Sequence, residues 1–425
     1  MNANKALAFS LTVSDRAVLE QAAQDGEAAV PTVQDWAEIN SGSWNADGLE
    51  RMRAVLADAF GEVGGTGDAV DLAPSESVAP NGEKQRFAHP PAIRVRQRPD
   101  APIQILLTGH HDTVFPPGCG FESCRWLDED RLNGPGVADM KSGLLVMRAG
   151  LLALERSERA AEVGWTILIS PDEEVGSLGS GPVLAEHARK AHLGLTYEPA
   201  LADGSLAGAR KGSGNFTVIV RGRSAHAGRE PEKGRNAVLA AARLAQRIAE
   251  LNGARPGLSC NIAKIEGGGA CNVVPDLALV QFNVRLAGPD DQTVVSDHLD
   301  AVMAEIAAAT ECAIELTGGV TRPPKPMAPA NRAVFDAVAR AGATLGQSIR
   351  WSDTGGVCEG NNLWAAGCPN VDTLGVRGQF IHSADEVAFR SSFAERAQLS
   401  ALILLKIAEG AIDARAIRKL VETAA

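Results

Sequence analysis

Apolar and polar positions along the chain change period several times, and each change marks a structural element. Periodicity predicts helices over Ser14–Ala28 and Ala46–Phe60. The stretch from Gly61 to Arg98, rich in Gly, Pro and charge, predicts turns and a hairpin. Three continuous apolar runs follow, IQILLT (Ile103–Thr108), WTILIS (Trp165–Ser170) and Leu193–Tyr197. Runs of this kind are typical of strands buried on both faces. Between the first two lies SGLLVMRAGLLALER (Ser142–Arg156), whose apolar residues group on one helical face. Strands alternating with helices predict an α/β fold with a mainly parallel sheet flanked by helices.

The pattern changes near residue 211. NFTVIVR (Asn215–Arg221) alternates as a half-exposed strand does, and Asn236–Leu251 is an alanine-rich amphipathic helix. Strands at Asn261–Ile265 and Leu277–Leu286, a helix near Thr293–Ala309 and a strand near Cys312–Thr317 complete an α+β unit. About a hundred residues suffice for a small domain. RPPKPMAP (Arg322–Pro329) reads as a linker, after which helices and short apolar runs resume. The expected organisation is one α/β domain, residues 1–210 and 323–425, interrupted by an inserted α+β domain, residues 211–322. No internal repeat stands out.

Composition narrows the class. The chain has 425 residues, 45% of them hydrophobic and 22% charged, with a net charge of −11. An acidic chain without a basic stretch is not built to bind nucleic acid. No apolar run approaches the length of a membrane span. The start, MNANKALAFSLTVSDRAVLEQA, lacks a convincing signal h-region and is read as a cytoplasmic amino terminus. The 7 cysteines are scattered and form no CxxC, which suits reduced thiols in the cytosol.

Candidate chemistry gathers where the apolar runs end. Gly109-His110-His111-Asp112-Thr113-Val114 follows IQILLT directly, and Ser170-Pro171-Asp172-Glu173-Glu174 continues WTILIS. Tyr197-Glu198-Pro199 ends the third run. A glycine-rich turn, GPGVAD, delivers Asp139 just before a helix, and Gln379–Glu386 (QFIHSADE) places His382 after the run Val371–Val376. Each stretch alone has an ordinary reading: exposed turn histidines, an N-cap aspartate, an acidic helix start, a surface acid, a loop histidine. Jointly, histidines and carboxylates recur at strand ends, where open α/β sheets build sites. Two histidines, two terminal carboxylates and one shared carboxylate suit a pair of zinc ions, each keeping room for water.

HHDTV, GVADMKSG, PDEEVGS, YEP and IHSADE, with SAHAG between them, resemble one family of zinc metallopeptidases. It comprises the glutamate carboxypeptidases, aminoacylases, acetylornithine deacetylase and succinyl-diaminopimelate desuccinylase. The glutamate carboxypeptidases look most similar. The resemblance runs from Ile103 onward. It implies that His110, Asp139 and Glu198 bind one zinc, while Asp139, Glu174 and His382 bind the other; cobalt or manganese would substitute. It further implies that Asp112 supports His110, that Glu173 is the general base, and that Asp139–Met140 is a cis peptide. The inserted domain would serve as lid and dimerisation domain. His226 of SAHAG would reach into the partner subunit's site, and Asn272 and Arg285 would bind a substrate carboxylate. Without the resemblance, His226 is an ordinary turn histidine and Arg285 a strand-face charge. Where many relatives have a Gly-Thr-Asp motif, this chain reads Thr354-Gly355-Gly356-Val357-Cys358-Glu359-Gly360-Asn361, and Cys358 and Glu359 leave the substrate pocket open there. Cys358 reads as a small packed residue, with no base beside it to make a nucleophile.

The implied function is metal-dependent cleavage of an amide or peptide bond in a small N-acyl amino acid or dipeptide-like molecule carrying a carboxylate, by a homodimer. The rivals are a non-catalytic metal- or ligand-binding protein on the same fold and a di-metal phosphoesterase. The latter lacks a phosphate-binding glycine loop or an arginine cluster here.

Overall fold

The computed structural model describes residues 8–422, so the first seven residues of the amino-terminal segment lie outside it. A six-stranded sheet forms the base. Its order is Thr66–Val70, Ala92–Gln97, Val163–Ser170, Ile103–His110, Leu193–Thr196 and Asn370–Val371. The last three neighbour pairs are parallel, the first two antiparallel. The sheet is thus mainly parallel where the apolar runs lie. It turns antiparallel at the edge fed by the Gly61–Arg98 stretch, where a hairpin, Ser75–Val78 with Lys84–Phe87, projects between the edge strand Thr66–Val70 and its neighbour Ala92–Gln97.

Helices Val13–Ala28, Ser142–Glu155 and Ser391–Ala408 pack together beside this sheet and supply much of one core. Ser142–Glu155 is buried nearly all round rather than on one face, with only Arg148, Leu152 and Glu155 partly exposed, because a second helix layer covers the side away from the sheet. Gly143, in its first turn, lies against the strand end that carries Glu198. A Cβ there would sit 2.0 Å from the Tyr197 carbonyl oxygen, so only glycine allows this approach.

A second core belongs to a four-stranded antiparallel sheet in the order Ser259–Gly267, Leu277–Leu286, Gly212–Arg221 and Ala313–Arg322. Phe216, Val218, Val280 and Phe282 turn toward helices Ala237–Ile248 and Asp291–Thr310. The helix expected over Asn236–Leu251 ends as a 3-10 turn at Ala249–Leu251.

The proline-rich stretch after this sheet is not the exposed linker its composition suggests. Arg322 and Lys325 are buried, and Lys325 Nζ and Arg210 share the carboxylate of Asp372, at 2.7 Å from Lys325 and 2.8 and 3.0 Å from Arg210. Composition reveals the turns but not the partner of Lys325, which lies 47 residues further along the chain. Among the described residues no helix is long and apolar enough to cross a membrane, and all seven cysteines are unpaired.

Candidate metal centre and active site

Parallel register brings the strand ends together. His110 is opposite Ser170, and Thr108 opposite Thr196, so the segments carrying His110, Glu173–Glu174 and Glu198 leave the sheet side by side. Asp139 arrives from the turn Val137–Lys141, and its peptide bond to Met140 is cis. Glu386 holds that turn: its buried carboxylate accepts the backbone N–H groups of Gly136, Ala138 and Asp139 at 2.9 to 3.1 Å. His382 comes from the loop before strand Val387–Phe389 and has φ 63°, a conformation uncommon outside glycine.

The five expected ligand residues converge. His110 Nε2 lies 3.1 Å from Asp139 Oδ1 and 3.8 Å from Glu198 Oε1. His382 Nε2 lies 3.3 Å from Asp139 Oδ2 and 3.2 Å from Glu174 Oε2. Two ligands about 2.0–2.2 Å from one zinc at a tetrahedral angle are roughly 3.3–3.6 Å apart, so these spacings fit divalent cations. Ligand atoms of His110, Asp139 and Glu174 all lie within 4.8 Å of one another, as do those of His110, Glu173 and Glu198. These two groupings share His110. The spacings of His382 instead make Asp139 the shared residue, with one oxygen facing each histidine. Glu173 is already engaged by Arg322, whose Nη2 is 2.7 Å from its Oε1.

The electrostatics also call for cations. Burial, then the charge of Asp139, pushes Glu174 up to about 8 and Glu198 up to about 7. Burial raises Glu173 too, with Arg322 pulling the other way. Bonds to Asp139 and Glu174 lift His382 to about 11, and on His110 the acids Asp112, Asp139 and Glu198 override burial and raise it. Without metal, the cluster gathers protons to offset its own repulsion; a divalent ion would replace them.

Asp112 works from below. It is fully buried, with His110 Nδ1 3.3 Å from its Oδ1, and it accepts the Glu173 and Glu174 N–H groups at 3.0 and 3.1 Å and the Ser43 hydroxyl at 2.7 Å. It thereby fixes both the first histidine and the acidic turn.

The cluster opens into a cleft of about 730 Å³ that Arg285 and Arg322 also line. Arg285 Nη1 is buried and has no partner. His226 and Asn272 are not in this cleft. They sit together on an exposed ribbon, where His226 pairs with Val273 and the Ala227 N–H bonds the Asn272 carbonyl. At the departure from Gly-Thr-Asp, Cys358 is buried, caps helix Glu359–Ala365 and lines the cleft, and burial pushes its thiol up. Glu359 turns inward to bond Ser170. Sequence reasoning missed Arg322 and Arg210, because both become buried partners only through tertiary contacts. Glu386 stood inside a quoted motif, without a role.

Residues 208–311 match the family described as the peptidase dimerisation domain. Carboxypeptidase G2 of Pseudomonas sp. (strain RS-16) is 29% identical over 312 residues, 72% of this chain and 74% of that protein. Succinyl-diaminopimelate desuccinylase of Methylobacterium radiotolerans is 28% identical over 353 residues, 73% of this chain and 85% of its own. In fold, the chain is similar to the M20 family metallo-carboxypeptidase Sso-CP2 from Sulfolobus solfataricus. The TM-score is 0.69 over 88% of this chain and 98% of that one, at 15% identity. These relatives are named as carboxypeptidases and a desuccinylase, and the buried His/Asp/Glu cluster of this chain could hold a metal ion. Residues 208–311 thus match a peptidase dimerisation domain, and the chain is similar to a carboxypeptidase and a desuccinylase over 72% and 73% of its length and shares the fold of a metallo-carboxypeptidase.

Proposed function

We propose that the chain holds two zinc ions and cleaves the amide bond of a small N-acyl amino acid or dipeptide-like substrate that carries a carboxylate, in the manner of a carboxypeptidase. One observation carries this reading. Asp139 stands between His110 and His382 with one oxygen toward each, while Glu198 and Glu174 complete the two sides. His110, Asp139 and Glu198 would hold one ion; Asp139, Glu174 and His382 the other. Ions bound there supply Lewis acidity and a water of lowered pKa.

The chain's own residues do the rest. Glu173 is buried at the cleft wall beside the cluster and takes the proton from the attacking water. It then returns the proton to the leaving amine, acting first as base and then as acid. Arg322 keeps its carboxylate in place at 2.7 Å. The free Nη1 of Arg285 receives the substrate carboxylate. His226 and Asn272 are exposed on the segment that matches a dimerisation domain, which supports their delivery to the site of a second copy in a homodimer. There His226 would stabilise the oxyanion and Asn272 would bind substrate. The unpaired cysteines favour a reducing, cytoplasmic setting.

The test is a mass-spectrometric screen of N-acyl amino acids, dipeptides and phosphate esters, with chelator and with zinc restored. Zinc-dependent release of a free amine supports the proposal. Phosphate release alone would make the chain a phosphoesterase, and ligand binding without turnover would make it a binding protein.

A further inference from the structure

The cleft over the cluster does not end at Arg285. Alternate residues of a strand share a face, and the inserted sheet turns Phe216, Val218 and Phe282 to its helices. The opposite face carries Ser213, Asn215 and Thr217, paired in that order with Arg285, Asn283 and Gln281. Successive members lie about 6.8 Å apart along each strand. The first pair lines the cleft that holds Glu173 and His382. The last pair lines a second cavity of about 750 Å³, and the middle pair, Asn215 and Asn283, lines both. The two compartments form one track.

The projecting hairpin roofs the second compartment with Ser75, Glu76 and Ser77. It is anchored at both ends. At its turn, Arg221 donates to the Gly82 carbonyl at 2.5 Å, and Lys84 lies 2.6 Å from Glu315; both partners are on the inserted sheet. At its base, the Ser75 hydroxyl is 2.6 Å from Nε2 of the buried His89 ring, whose Nδ1 lies 3.8 Å from Asp172 in the acidic turn. Asn283 is held by bonds to Ser213 and Asn215 at 3.0 and 2.8 Å. The compartment is therefore built before any ligand arrives.

Its chemistry differs from that of the first. The first is densely charged, lined by the acids of the metal cluster and Asp353 and by Arg210, Arg285 and Arg322. The second is lined by hydroxyls, carboxamides and apolar residues including Leu178, Phe216 and Phe282, with Glu76 as its single charge, and Glu76 already pairs with Arg86 at 3.0 Å. Carboxamides both donate and accept, as peptide units do. We propose that this second compartment is a subsite for an uncharged, peptide-like extension of the substrate beyond the carboxylate held at Arg285. The placement of the reacting bond rests on the amide-hydrolase reading above. The substrate class becomes an acidic residue, N-acylated at the reacting bond, whose side-chain carboxylate meets Arg285 while its α-carboxyl continues into neutral polar residues; this keeps the amide-hydrolase reading and replaces carboxypeptidase-like end specificity.

The test is calorimetric binding of glutamyl-glycyl-serinamide and of glutamate to the purified protein, its Thr217→Trp and Gln281→Trp variants, and Ser77→Trp in the roof. Thermal melts establish that each variant is folded, and the roof variant serves if the sheet variants are not. The tripeptide amide should bind at least about tenfold tighter than glutamate, the equivalent of roughly two net hydrogen bonds. Tryptophan at these positions should erase that advantage and leave glutamate within about twofold of wild type, since the change fills only the far compartment. Equal affinity of the two ligands for wild type, or loss of both in a folded variant, would overturn the subsite. Absence of amide hydrolysis with this binding difference intact would sink the catalytic reading and leave the subsite standing.

Discussion

Arg322 grips Glu173 at two points: its Nη2 lies 2.7 Å from Oε1 of the carboxylate and donates to the backbone carbonyl at 2.7 Å. Arg322 ends the last strand of the inserted sheet, so a residue of one core positions the proposed base of the other. Adjacent Glu174 instead faces His382. The two neighbouring acids therefore predict different phenotypes. Glu173→Gln should keep its metal by elemental analysis and lose about 10²–10⁴-fold in kcat, the usual contribution of a positioned base. Near-wild-type turnover in that variant would remove Glu173 from the mechanism.

Glu386 offers a second test, away from substrate. Its carboxylate is the acceptor for three buried N–H groups in the turn that presents Asp139. Glu386→Leu should destabilise the fold by about 3 kcal/mol or more in urea, because the donors are left without an acceptor. It should also weaken zinc by about 10–100-fold in a competition titration. Unchanged zinc affinity would show that the turn holds its shape unaided.

Asp372 predicts a pH dependence. Burial opposes its ionisation, but Arg210 and Lys325 override this and hold its carboxyl down at about 2. A carboxyl depressed in the folded state contributes its stability above its ordinary pKa of 3.8, and loses it as pH falls from there toward about 2. Wild type should lose about 2 kcal/mol over that window. Asp372→Asn should be less stable by about 3–5 kcal/mol at pH 7, since two buried cations lose their partner, and should be flatter in acid. Parallel acid profiles for the two proteins would contradict this.

The exposed ribbon of His226 predicts complementation. His226→Ala and Glu173→Gln proteins, each nearly inactive alone, should recover part of their activity when mixed and allowed to exchange subunits. One site of the mixed dimer would then receive both an intact base and an intact His226. No recovery despite demonstrated exchange would confine His226 to its own chain.

Much of the site was legible because it is local to strand ends. His110, Glu173, Glu174 and Glu198 each follow an apolar run, and parallel register alone brings such ends together. Asp139 and His382 were harder, since each comes from a loop; only their company with the strand-end residues marks them. Arg322 and Lys325 were read as linker because proline dominates their neighbourhood, while their partners Glu173 and Asp372 are far away in sequence. The hairpin was foreseen, but its clasp on the inserted sheet depends on Arg221–Gly82 and Lys84–Glu315 contacts, which no local pattern encodes.

The most direct measurement pairs metal content with turnover on one sample. Protein stripped by chelator should hold no divalent metal and hydrolyse none of the N-acyl amino acids or dipeptides. Titration with zinc should restore hydrolysis and saturate near two equivalents per chain, because Asp139 gives each ion three ligands when shared. Full activity in metal-free protein, or failure to bind any divalent ion, would contradict the account.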